Sequence, residues 1–316
     1  MSKDVLTPDA AHAYDDEIDL RELFAVLWAG KNKILAVTAV FALVSVIYAL
    51  SVPNQYKATA LLAPAQSESG GLSGALGQLG GLASLAGVSI GGGDSSEAQV
   101  ALEIMQSWNF IESFIANNDL SVEVYAAEGW SRSSNHLELD DDVYDISSKT
   151  WLVKNNQSGE IGPPSSWELF EEFSEKLSVS EDKKTGLVSV SIEYYSPQIA
   201  KDWLDLYVQA INKHMQARQI AKVTNNINYL QAQIQKTTIA EMQEVFYTII
   251  EEQIKSKMLA EASPDYAFLA VSPSMVPEEK SQPKRALICI LGTLLGGMLS
   301  VLWVLVMHYA RGSEQG

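Results

Sequence analysis

The chain has 316 residues, a net charge of −17, four histidines and one cysteine, Cys289. Such acidity makes it a poor binder of nucleic acid or of anionic headgroups, and a single cysteine excludes disulfides within the chain and cysteine-based metal sites. Between its two longest apolar runs, residues 53–285 hold 17 basic against 31 acidic residues, a net of −14, which reads as solubility rather than as a binding surface.

Residues 1–14 are polar, without hydrophobic periodicity, and are expected to lack order. From Asp16 the sequence DEIDLRELFAVLWAGKNKIL places Ile18, Leu20, Leu23, Phe24, Leu27 and Trp28 at near-helical spacing. Asp15, Asp16, Glu17 and Asp19 sit at the positive end of that helix. This predicts a short amphipathic helix at the membrane interface within a head of residues 1–33, anchored by Lys31 and Lys33. Residues 34–52 are apolar enough to span a bilayer. The apolar run starts too late and lacks the small-residue pattern of a cleaved secretory peptide.

After Pro53, residues 55–62 read as a strand ending at Pro64. Residues 70–93 carry ten glycines among small apolar residues but no phosphate-loop spacing, so a loop holding a weak helix near 72–86, buried against neighbouring copies, is expected. Asp94 with Glu97 opens a helix over about 95–117. Residues 119–160 are polar and acidic around Glu138–Asp145. That run lacks the glycine and terminal glutamate of a calcium loop and predicts a solvated turn.

Pro163, Pro164 and the Ser165/Glu168 pair start a helix to about Lys176. Residues 177–180 and 187–195 then alternate as a β-hairpin, with Gly186 in the left-handed position. Ser196 caps a long helical stretch, 198–263, and Pro197 fits its first turn; the stretch contains neither glycine nor proline. As a single rod it would extend about 100 Å. The 22 residues of 264–285 return over at most about 75 Å, so a helical hairpin turning between Thr224 and Thr238 fits better, where the apolar seam lapses at Gln235–Thr238. Residues 266–271 return as a strand, and Pro273, Pro277 and Pro283 stiffen the approach to a second span, 286–307, before a short tail, 308–316.

In that span Gly292 and Gly296, extended by Gly297, form a small-residue face for close helix approach, by the first span or by a partner's helix. The basic residues flanking the spans divide evenly between the two sides. The dominance of the first span puts both termini in the cytoplasm and the bulk outside it. No nucleophile–base motif accompanies His136 and His214, the only loop histidines, so catalysis, cofactors and metals are not expected. Carboxylate pairs alone leave a glycosidase formally open. The loop tryptophans could stack on sugars or fill a core.

Four stretches carry a family resemblance: DEIDLRELFAVLWAGKNKIL entering a span, EAQVALEIMQSWNFIESFI, the long helical stretch, and VSPSMVPEEKSQPKRALICILGTLLGGMLSVLWVLV. Together they resemble the polysaccharide co-polymerases, and among these the O-antigen chain-length determinants of the Wzz family. The resemblance runs over residues 16–309, specific at both ends and weak in the acidic middle. It implies an α+β fold: two transmembrane helices flank a periplasmic α/β base (53–197 with 264–285), and a long helical arm (198–263) projects from that base. It also implies a non-enzymatic, ring-forming regulator of polysaccharide chain length in the bacterial inner membrane. Homo-oligomeric neighbours and a membrane-embedded polymerase are its expected partners, and contact with the growing polysaccharide stays open. The family's proline run maps onto Pro273, Pro277 and Pro283, and its glycine-bearing second span onto Gly292, Gly296 and Gly297. Related capsule proteins append a tyrosine kinase after this span, and the short tail here argues against that branch. The alternative from another class is a membrane-anchored periplasmic adaptor of an envelope export complex.

Overall fold

Helix continues wherever nothing stops it, because extending an existing helix is cheaper than nucleating another. The first apolar segment shows this. In the computed structural model, which describes residues 20–65 and 93–312, α1 runs unbroken over Leu20–Ser51. The separate interfacial helix expected before residue 33 is therefore absent among the described residues. The GKNK stretch offers one glycine, worth about 1 kcal/mol of helix propensity, and no proline. The glycine-rich segment and the head before Leu20 lie outside the described residues.

The chain is mixed helix and sheet and divides into two compact units: the two terminal apolar helices, and residues 53–283. In the second unit β1 (Tyr56–Pro64) is followed by α2 (Gly93–Met105), α3 (Trp108–Asn117) and α4 (Ser121–Tyr125). The single helix expected over 95–117 is broken at Gln106–Ser107. There the Ser107 hydroxyl donates to Ile104 O (2.7 Å) and the Gln106 amide to Leu102 O (3.3 Å). These side chains satisfy carbonyls at the end of α2, and Ser107 is extended.

The acidic run turns at the surface, with Asp141 and Asp142 exposed, but the region around it is ordered. It forms β2 (Ala127–Ser131) paired with β3 (His136–Leu139), then β4 (Tyr144–Asp145) paired with β5 (Thr150–Trp151). Aromatic edges hold these small hairpins: Trp130 lies 6.0 Å from Tyr56, and Trp151 lies 5.0 Å from Tyr144 and 6.2 Å from Tyr125. Next come α5 (Ser166–Lys176), β6 (Leu177–Asp182) and β7 (Leu187–Tyr194), the last two joined through Gly186 at φ +68°.

The sheet has the order β6-β7-β1-β8 and is antiparallel throughout, β8 being Phe268–Ser272. Alternation along the strands buries Ala58, Ala60 and Leu62 of β1 and Val188, Val190, Ile192 and Tyr194 of β7. The first half of α6 (Pro197–Lys236) supplies Trp203, Leu204, Tyr207 and Ile211 to the same core, with Phe114 and Phe173 from α3 and α5.

Beyond Met215 the long helix leaves the core and α7 (Ala240–Ala262) folds back on it. Gln216 reaches the end of α7 while Asn226 meets Gln253, so the two helices are antiparallel. The turn is Thr237–Ile239, at the far end of the window where the apolar seam lapses. Three β-branched residues follow each other there, and the Gln243 amide donates to Thr237 O (2.7 Å).

Candidate functional site

Two regions hold the residues that the sequence singles out. The first is the pair formed by α1 and α8 (Arg285–Gly312). On α8, Gly292, Gly296 and Ser300 recur every four residues and so share one face. A Cβ added at Gly292 would lie 2.5 Å from Ser45 Cβ, and one at Gly296 would lie 2.4 Å from Phe41 Cβ. Glycine is required at both positions for the helices to be this close. Near the other end the roles reverse, since a Cβ on Gly30 of α1 would meet Val304 at 2.6 Å.

The helix meeting the glycine face is thus the first span of the same chain. Gly297 differs: its nearest neighbour, Thr38 Oγ1, is 4.0 Å from an added Cβ. Ser45, Ala49, Ser300 and Val304 are buried along the seam. The Thr38 and Ser300 hydroxyls lie 3.4 Å apart, while Ser45 donates to Ala42 O and Ser300 to Gly297 O within their own helices. Hydroxyls satisfied in this way tolerate a dry environment. The spacing of Gly292 and Gly296 could be read from sequence; Gly30, Ser45 and Ser300 were missed, and their only signal is the recurrence of small residues.

Outside the seam, α1 and α8 expose Leu35, Leu43, Ile47, Leu291, Leu295 and Leu302. In water such a surface would be a liability. Both helices are long and apolar enough to cross a membrane, over Val26–Ser51 and Arg285–His308, and two such helices near the termini fit a two-pass membrane protein. Phe24 stacks on Trp28, and Lys31 Nζ lies 4.6 Å over the Trp28 ring. That is the aromatic and cationic chemistry of a membrane boundary.

The second region is the extended segment with Pro273, Pro277 and Pro283, which has neither helix nor strand between β8 and α8. Prolines lack the N–H of a strand ladder, so side chains and one isolated bridge between Gln55 and Gln282 hold this segment instead. The Ser274 hydroxyl donates to Asp205 on α6, whose other oxygen pairs with Lys201 at 2.7 Å. That hydrogen bond and charge hold the Lys201 ammonium above its usual range. Ser281 donates to Gln55 O (3.0 Å) and to the Glu193 carboxylate, and Gln55 N donates to Gln282 O (3.0 Å). Between these anchors Met275 is 75% and Val276 43% exposed, while Pro283 is buried. The anchoring serines were not among the residues that sequence reading singled out.

The two loop histidines sit in different surroundings. His214 packs edge-on against Phe110 at 5.5 Å, and His136 pairs with Ser131 in the β2–β3 hairpin. Among the described residues no group of three or more His, Cys, Asp or Glu could hold a metal ion.

Residues 16–118 match the family model of Wzz, chain length determinant protein. The matched region contains one of the two stretches quoted from the ends of the chain, and the EAQVALEIMQSWNFIESFI segment. Among solved structures the chain is similar to a full-length bacterial polysaccharide co-polymerase, at 16% identity over 93% of this chain and 99% of that one, with a TM-score of 0.39. It is also similar to a fragment of WzzB, a polysaccharide co-polymerase from Salmonella Typhimurium, at 14% identity over 72% of this chain and 100% of that one, with a TM-score of 0.29. Among curated proteins none matches.

Proposed function

We propose that the protein is a polysaccharide co-polymerase that sets the chain length of an O-antigen type polymer without catalysing a reaction itself. The observation that carries this reading is the chain-length-determinant match over residues 16–118, which takes in α1, β1, α2 and α3. The second apolar helix and the segment anchored ahead of it support it, since a two-pass scaffold needs both ends of its α/β unit tied to one bilayer.

On this reading the chain lies in a bacterial inner membrane with both termini in the cytoplasm. Residues 34–52 and 286–307 cross the bilayer. Residues 53–197 with 264–285 form a periplasmic base, and 198–263 form its arm. Copies assemble into a ring around or beside a membrane-embedded polymerase. The number of units added then reflects competition between elongation and departure of the polymer. A scaffold shifts that competition by holding the machinery together, which needs surfaces rather than nucleophiles.

The six residues named above divide their work accordingly. Gly292 and Gly296 serve the contact within one protomer. Gly297 and the segment of Pro273 and Pro277, with Met275 and Val276 exposed on it, face neighbours or the polymerase, while the buried Pro283 shapes the entry to the second span.

Deletion of the gene is expected to broaden the ladder of surface polysaccharide lengths, and the wild-type gene to restore it. A ladder unchanged by deletion overturns the reading. A reporter enzyme active only outside the cytoplasm, fused near Gly159, is expected to be active, and silence there overturns the topology.

A further inference from the structure

Burial alone does not specify how the helical hairpin leaves the sheet. Of the 23 residues of α7 only Ile250 and Ala260 are buried. With Val223 of α6 they make a thin apolar seam with exposed flanks, which by itself does little to fix register in water. Something else fixes its foot.

Two amides on α6, one helical turn apart and so on one face, reach the returning chain. Gln216 Nε2 donates to Ala260 O (2.8 Å), which also accepts from Ser263 N (3.3 Å), and to Ser263 O (3.0 Å), so it grips the end of α7. Asn212, 2% exposed, does the same for the entry into β8. Its Oδ1 accepts from Ala267 N (2.9 Å) and Phe268 N (2.8 Å), and its Nδ2 donates to Phe268 O (2.9 Å). Only one orientation of the amide meets two donors and one acceptor, so aspartate, leucine or a flipped amide would leave buried backbone groups unsatisfied. Phe268 is fully buried, and β8 has a single neighbour in the sheet, β1. The two amides therefore tie helix end, connection and edge strand to one turn of α6.

We propose that Asn212 and Gln216 form a polar joint that positions the arm on the base, and that this joint selects which polymer lengths are favoured. The second half of the statement rests on the function proposed above. Neither side chain touches a substrate; both are positioning residues, acting through the direction they give the hairpin.

The test uses the full-length chain expressed in cells lacking the chromosomal gene, and the same chain purified in lipid nanodiscs. Gln216→Met keeps length and volume but removes both donors; Asn212→Asp keeps shape but sets an oxygen against Phe268 O. In Gln216→Met, amide hydrogen exchange over residues 263–268 is expected to quicken about tenfold, as for loss of two part-buried hydrogen bonds. Exchange in β1 and β7, particle mass and protein abundance stay as in wild type, and the modal polymer length moves or its distribution widens.

Faster exchange with a wild-type ladder overturns the selection role, and unchanged exchange overturns the joint itself. Should Asn212→Asp fail to accumulate, Gln216→Met decides, because Gln216 is only partly buried. If the wild-type gene does not restore the ladder in the deleted cells, the proposed function fails. If wild type and Gln216→Met restore it identically, only the selection role fails.

Discussion

Replacement of Gly296 by alanine separates close packing of the two apolar helices from mere hydrophobicity. The new methyl would sit 2.4 Å from Phe41 Cβ, against an ordinary contact of at least 3.4 Å. The helices must part locally by about 1 Å or Phe41 must leave its rotamer, and overpacking of that kind costs about 1–3 kcal/mol. Between membrane helices little hydrophobic driving force makes up the loss, because lipid solvates the exposed side chains as well as the partner helix does. The control lies one residue on: at Gly297 an added Cβ meets nothing nearer than 4.0 Å. A Thr38→Cys, Ser300→Cys pair, whose parent hydroxyls are 3.4 Å apart, reports the packed state by disulfide formation in membranes treated with an added two-electron oxidant once Cys289 is replaced by serine. Gly296→Ala is expected to slow that crosslink about tenfold, and Gly297→Ala to leave it unchanged. Equal rates in the two variants would refute the assignment of the glycine face to α1.

Other consequences fall in the α/β unit. Ser165→Ala removes the hydroxyl that accepts from Glu168 N in the capping box that starts α5, leaves the Ser165 N–H bond to the Glu168 carboxylate, and is expected to lower stability by about 1 kcal/mol, read as a lower Tm. Burial opposes ionisation of Glu168, but hydrogen bonds from Ser165 and Asn156 outweigh it and hold its carboxyl below the usual value. Its contribution is therefore complete above the ordinary glutamate pKa and lost as pH falls through the lowered one. Protection from exchange at the first turn of α5, relative to the intrinsic rate at each pH, is expected to fall over that acid range and to lose this pH dependence in Glu168→Gln. Tyr207→Phe leaves the buried Met105 carbonyl without its donor and is expected to cost about 1–3 kcal/mol in denaturant unfolding. Trp203→Ala, beside Tyr194 at 4.4 Å and Phe173 at 6.0 Å, is expected to cost about 3–5 kcal/mol.

What the sequence makes legible is what its local chemistry decides. Ser165 with Glu168, Ser196 with Pro197, and Gly186 each announce a boundary through two or three neighbours, and the structure has a boundary at each. The turn of the hairpin is legible for another reason: a straight rod conflicts with the length of chain available for return. The break at Gln106–Ser107 carries no glycine or proline, so its cause, side chains competing for carbonyls, is hidden in ordinary polar residues. The small hairpins of the acidic middle depend on Trp130 meeting Tyr56 and Trp151 meeting Tyr125, pairings across long stretches of chain that no window displays. In the candidate site the spacing of Gly292 and Gly296 marks a place of close approach, but which helix comes close is not written in the spacing.

The two units solve one problem with opposite chemistry. Two helices must meet in one register where removal of apolar area from water does not select it. In the pair α1 and α8 the exposed flanks are apolar on every side, so register comes from absence of bulk, at Gly30, Gly292 and Gly296. In the hairpin of α6 and α7 the flanks face water, so register comes from presence of donors, at Asn212 and Gln216. Each device is blind to the substitution that destroys the other. A methyl added on the outward side of α7 changes little, although the same methyl at Gly296 forces the helices apart. Loss of an amide donor with volume conserved, as in Gln216→Met, leaves the core of the sheet intact while it frees the arm. Within these two helix pairs, a mutational scan should therefore show sensitivity to added volume along the seam of α1 and α8, and sensitivity to lost polarity at the foot of the hairpin. A hairpin foot that tolerated methionine and failed with added volume would reverse the assignment.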